Sequence, residues 1–142
     1  MSANLKAVVD ALATRIRTGL SGQALAGRVY AFSPDTLEPP SIVVLPSPSD
    51  FLEWDRTFDG SDDYSLTVKV VMGSADDRTN QAELLDALAR TGSTSIYAAI
   101  RADTTLGGTV AMTNVIRGTA YGDVEWNGLV YFGAELLVEC GT

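Results

Sequence analysis

The last third of the chain restricts the fold more than any other stretch. Val110 to Tyr121 is rich in β-branched residues, and Leu129 to Glu139 alternates in a way that suits a second strand. Asn127-Gly128 lies between them. That pair tolerates the positive φ angles of a type I′ turn, so the two runs are read as one long hairpin. Such a turn sets Trp126 opposite Leu129 and Val124 opposite Tyr131. Val130, Phe132, Ala134, Leu136 and Val138 then share one face, which is expected to meet helices. A hairpin this long commits the domain to an antiparallel sheet.

The remaining elements fit around it. Leu5, Val8, Val9, Leu12, Ala13 and Ile16 form one apolar stripe at helical spacing. Ser2 or Asn4 can cap this helix, and Gly19 can end it. Arg28–Phe32 is a short strand. Ser41–Leu45, bounded by prolines, is a buried one. Tyr64, Leu66, Val68, Val70 and Met72 alternate with polar residues over a third strand. Ser74, Asp76 and Asp77 suit a helix start, and Leu84, Leu85, Leu88 and Ala89 supply that helix's apolar side before Gly92. Ser93 or Thr94 opens a third helix, which runs to Arg101. The expected class is α+β. It is a single domain over residues 1–142, a mainly antiparallel sheet with helices on one face and a long loop between two strands.

A chain of 142 residues buries roughly 70% of its unfolded surface, so it needs no disulfide or metal to fold. Its single cysteine, Cys140, has no partner within the chain and is read as a small apolar residue on the last strand. Residues Met1–Leu20 carry Lys6, Asp10, Arg15 and Arg17 and do not look like a secretory signal. A soluble, cytoplasmically made product is expected, with no membrane partner.

Chemistry-bearing patterns are scarce. There is no histidine, which removes the commonest general base and metal ligand. Neither a Walker A sequence nor Gly-x-Gly-x-x-Gly occurs. The pairs Asp62-Asp63 and Asp76-Asp77 read as solvated loop charge and helix capping. No catalytic group, cofactor or metal is assigned, and the chain is not read as an enzyme. A net charge of −8 disfavours tight binding to phosphates.

Residues 47–63 are long for a connection inside a small domain. They hold Asp50, Glu53, Asp55, Asp59, Asp62 and Asp63, opposed only by Arg56. Phe51, Trp54 and Phe58 interleave with the acids. Apolar anchors in a polar rim are what protein interfaces use. These three aromatics are therefore candidates for a partner interface, or else for tucking the loop against its own domain.

Two segments also carry a family resemblance. Ser95-Ile96-Tyr97-Ala98-Ala99-Ile100-Arg101-Ala102-Asp103-Thr104-Thr105-Leu106-Gly107-Gly108 is followed by Tyr121-Gly122. The last strand reads Gly128-Leu129-Val130-Tyr131-Phe132-Gly133-Ala134-Glu135-Leu136-Leu137-Val138. This order resembles the tail terminator proteins of long-tailed bacteriophages. The shared residues are of packing and turn type, with Gly107, Gly108, Asn127 and Gly128 as structural turns.

The resemblance implies a virion protein at the tail–neck junction. It would form a homo-oligomeric ring, usually of six copies, on the last ring of the tail tube protein. It would stop tube growth and present a surface to head-completion or connector proteins. DNA would pass through the bore unbound, and the acids at 50, 53, 55, 59, 62 and 63 are candidates for lining the bore or facing the tube. The alternatives are a head-completion or connector neck protein and a small acidic binding module.

Overall fold

The computed structural model describes residues 4–23, 28–32, 40–55, 61–73, 78–126 and 129–142. Three helices and six strands occur among them: α1 (Leu5–Gly19), β1 (Val29–Ala31), β2 (Ser41–Pro46), β3 (Leu52–Glu53), β4 (Asp63–Gly73), α2 (Arg78–Ala87), α3 (Ile96–Arg101), β5 (Met112–Trp126) and β6 (Leu129–Gly141). The sheet runs β1-β2-β4-β6-β5, and β3 pairs with the start of β4. Only β1 and β2 are parallel; every other pairing is antiparallel. The class is α+β.

Alternation along β4 and β6 decides which face the helices cover. Leu66, Val68 and Val70 of β4 and Phe132, Ala134, Leu136 and Val138 of β6 join one buried cluster. The α1 stripe of Val8, Val9, Leu12, Ala13 and Ile16 lies in it, with Leu84 and Ala87 of α2 and Ile96, Ala99 and Ile100 of α3. Full burial of a Leu or Ile side chain stabilises by about 1.5–3 kcal/mol, so this one-sided layer is the main driving force of the fold. On the opposite face Val43 and Val71 are buried under Tyr30, Leu45 and Tyr131.

Helix starts follow side-chain oxygens. Asn4 Oδ1 accepts from Ala7 N at 2.8 Å, so Asn4 caps α1. Ser95, rather than Ser93 or Thr94, caps α3: its Oγ accepts from Ala98 N at 3.1 Å and donates to the Ala89 carbonyl. The expected caps Ser74, Asp76 and Asp77 lie outside the described residues.

Gly19 is the last residue of α1, as expected, for a different reason. Its φ is not positive. Instead α3 crosses so close that a Cβ there would meet Ala99. Helix α2 ends at Ala87, five residues before Gly92. Leu84 and Ala87 are buried and Leu88, just past the helix, packs against the core, whereas Leu85 and Ala89, expected to share that side, are exposed.

The hairpin has the expected register: Val124 pairs with Tyr131 and Trp126 with Leu129, which leaves Asn127 and Gly128 as a two-residue connection outside the described residues. Val130 departs from expectation. It shares a face with Phe132 but is 64% exposed. The β4–β6 pairing runs as far as Gly73 opposite Phe132, and Val130 lies beyond it. Strand β5 forms one edge of the sheet and carries register shifts between Val115 and Arg117 and between Gly118 and Ala120.

The expected loop of residues 47–63 is not structureless. After β2 the chain bulges outward and returns to the same edge of β4 as β3, pairing Leu52 with Tyr64 and Glu53 with Asp63. Ser47 N donates to the Ser65 carbonyl and Ser65 N to the Phe51 carbonyl. The buried hydroxyls of Ser47 and Thr67 are 3.1 Å apart. Leu52 packs against the main core, so this stretch contributes to the fold.

Candidate interaction surfaces

The expected acidic residues separate into two groups. Asp50, Glu53 and Asp63 line one polar cleft of about 150 Å³ together with Tyr64, Ser65 and Glu139. The register explains the convergence. Glu53 pairs with Asp63, and Glu139 of β6 pairs with Ser65, so these side chains share one end of the face that lacks helices. Glu139 was not foreseen. It lies far along the chain, and only the β4–β6 register brings it here.

Asp62 does other work. Its Oδ1 accepts from Asp55 N at 3.0 Å, and its backbone N–H donates to Thr142 Oγ1 at 2.8 Å. Asp59, Phe58 and Arg56 lie outside the described residues. No group of three or more His, Cys, Asp or Glu among the described residues is arranged to hold a metal ion.

Neither of the two described aromatics tucks back. Trp54 is 70% exposed, and Phe51 stands partly in solvent while its backbone serves β4. Asp50 and Asp55, on either side, both adopt positive φ, at 52° and 54°.

A second apolar surface lies at the other flank of the sheet. A groove of about 260 Å³ is bounded by Leu88 beyond α2, by residues 118–121 of β5, and by Ala134 and Leu136 of β6. Leu85 and Tyr121 are exposed nearby in the chain, and Tyr121 meets Phe132 edge-on with ring centres 5.3 Å apart.

The Asp103–Gly108 motif is a self-contained turn. Asp103 Oδ1 accepts from the Thr105 hydroxyl at 2.7 Å and from Thr105 N at 3.1 Å, and Oδ2 accepts from Gly107 N at 3.0 Å. The Thr105 hydroxyl, then the Gly107 and Thr105 N–H groups, hold the Asp103 carboxyl below its ordinary value, with help from the charge of Arg15. Leu106, Gly107 and Gly108 follow one another at φ of 51°, 72° and 89°. Two glycines make this run affordable, and Leu106 accepts it to bury its side chain. Between the turn and α1 is a groove of about 390 Å³ that includes Arg15, Asp10 and Thr14.

In the last strand, Gly133 lets β6 lie close against β4. A Cβ there would collide with the Val70 carbonyl and stand 3.2 Å from the Val71 Cα. Glu135 faces its register partner Lys69 at 3.5 Å.

Compared with protein-family models and with curated proteins, the chain matches none. No helix among the described residues is long and apolar enough to cross a membrane.

Proposed function

We propose that this chain is a structural subunit of a long-tailed bacteriophage: a tail terminator that assembles into a ring, closes the tail tube and offers the head side a joining surface. One observation carries the reading. Several of the described residues behind the resemblance build a framework. The Asp103 carboxylate accepts from its own turn, Gly133 permits a close strand crossing, Glu135 faces Lys69, and Leu136 and Val138 fill the core. A motif of this kind specifies a shape to be packed against, which is what an assembly subunit requires.

The charge distribution supports the same reading. Asp50, Glu53, Asp63 and Glu139 gather at one end of the helix-free face. In a ring, an acidic surface turned toward the bore repels the DNA phosphates and lets the duplex pass. The partners under this proposal are other copies of the chain, the tail tube protein below and head-completion proteins above.

The test is electron microscopy of lysates from a phage with a stop codon in this gene. DNA-filled heads beside unattached, overlong tails are the expected result. Tails of normal length beside emptied heads would move the protein to the head side of the neck. Intact virions would remove the proposal altogether.

A further inference from the structure

We infer that Trp54 and Asp55 of one copy dock on the arginine-flanked Tyr97 of the next copy. The inference rests on the ring-forming reading above and names a contact that would build the ring. A ring needs two unlike patches on each subunit, because a patch that meets itself makes a closed pair. Here the two lie toward opposite edges of one sheet. Trp54 and Asp55 follow β3, which pairs with β4 on the side that β2 occupies, while α3 packs against β5, the strand at the far edge.

The receiving patch is basic within an acidic chain. Between Asp86 and Asp103 the sequence holds Arg90, Arg101 and no acid, in a chain of net charge −8. The Arg90 guanidinium lies 4.9 Å from the centre of the Tyr97 ring. Arg101 follows Tyr97 by four residues, so the two share a flank of α3, roughly 40° apart. Ala99 falls on the opposite flank, where it meets Gly19 of α1. The Tyr97–Arg101 flank therefore turns away from α1 and from the groove that holds Asp10, Arg15 and Asp103. Asp103 also has its oxygens engaged by Thr105 and Gly107. Both arginines are exposed, and neither forms an ion pair with a described residue.

The knob has the matching chemistry. Trp54 is mostly exposed, and Asp55 is exposed beside it. The Asp55 N–H donates to Asp62 Oδ1, which ties down the end of β3 and places a second acid there. Arg56, next in the chain, lies outside the described residues. A guanidinium binds a carboxylate in a planar fork and stacks on an indole face. Tryptophan and arginine are also among the residues enriched at interface hot spots. Opposite charge on the two patches favours encounter and makes it salt-sensitive. The acids of the neighbouring cleft, Asp50, Glu53, Asp63 and Glu139, are not needed for this contact and are left to the bore surface of the reading above.

Sedimentation velocity over a concentration series tests this with the wild type, Arg101→Glu, Asp55→Lys, and an equimolar mixture of the two variants. Arg90→Glu and Trp54→Ala serve as second variants of the two patches, and circular dichroism checks that each variant keeps its fold. The wild type is expected to associate, less so at high salt. Each variant alone is expected to weaken association by at least ~10-fold, the charge reversals by setting like charges together. The mixture is expected to regain association, because Glu at 101 in one variant meets Lys at 55 in the other and the unchanged Arg101 meets the unchanged Asp55. If the variants associate like the wild type, or the mixture is no stronger than either variant alone, the inference is overturned while a ring through other surfaces still stands. A wild-type chain that stays monomeric throughout overturns the inference and removes the support for a ring that assembles unaided.

Discussion

Gly19 of α1 and Ala99 of α3 touch so closely that a methyl group added to Gly19 would stand 2.6 Å from the Ala99 Cα and overlap its Cβ. The contact sets the crossing of the two helices. Gly19→Val is expected to lower stability by about 1–3 kcal/mol through overpacking. A thermal melt reads the loss. Ala99→Gly introduced beside Gly19→Val should recover part of it, and no recovery would mean that the Ala99 methyl is not the main obstacle.

Gly133→Ala is expected to be worse. The obstacle is the backbone of β4, the Val70 carbonyl above all, and a strand in mid-sheet yields less than a side chain. A loss of about 3 kcal/mol or more is expected, since β4 and β6 must part locally. Denaturant unfolding measures it. A change under about 0.5 kcal/mol, the range of ordinary surface substitutions, would show that the strands are not so tightly crossed.

Asp103 links stability to pH. Its carboxyl is held below the ordinary value in the folded chain, by the Thr105 hydroxyl first and the Gly107 N–H next. The native state therefore favours the ionised form, and this contribution is present above the unfolded pKa. It is lost as pH falls through the lower folded value. Asp103→Asn should flatten that part of the acid limb in a series of melts between neutral and acidic pH. Parallel curves for the two proteins would assign the acid sensitivity elsewhere.

Burial pushes the Cys140 thiol up to about 11, partly offset by the Thr113 hydroxyl 3.5 Å away. At mildly alkaline pH the native thiol stays protonated and sheltered, so a thiol-reactive dye should label it slowly and label the urea-unfolded chain fast. Because the folded value is raised, the associated stability is complete below the unfolded thiol pKa. It fades as pH rises through about 11. Rapid labelling of the native protein would place Cys140 at the surface.

Leu52 and Trp54 are two residues apart and should respond oppositely. Leu52 packs on the core, whereas Trp54 projects into solvent. Leu52→Ser is expected to cost about 1–2 kcal/mol and Trp54→Ser almost nothing in a melt of the dilute protein. Equal effects would mean that β3 is not anchored as described.

Periodicity made most of the fold legible. The α1 stripe, the β4 alternation and the hairpin register all follow from local spacing, which reports which side chains share a face. It does not report where a neighbouring element stops. Val130 has the right phase for the core and is nevertheless exposed, beyond the stretch of β6 that pairs with β4. Leu85 shows the same limit on α2. Gly19 read as a helix stop because glycine's freedom is a local property, while its contact with Ala99 is long-range.

The acidic surface was half legible. Composition pointed to Asp50, Glu53 and Asp63, but Glu139 joins them through strand register. The groove beside α2 left no local signal, since its walls come from three separated segments.

The two register shifts in β5 bear on the behaviour of many copies held together. A foreign strand laid along that edge would lose step with it twice between Val115 and Ala120. Edge-on stacking of copies into fibrils along β5 is thereby discouraged, even in a concentrated solution.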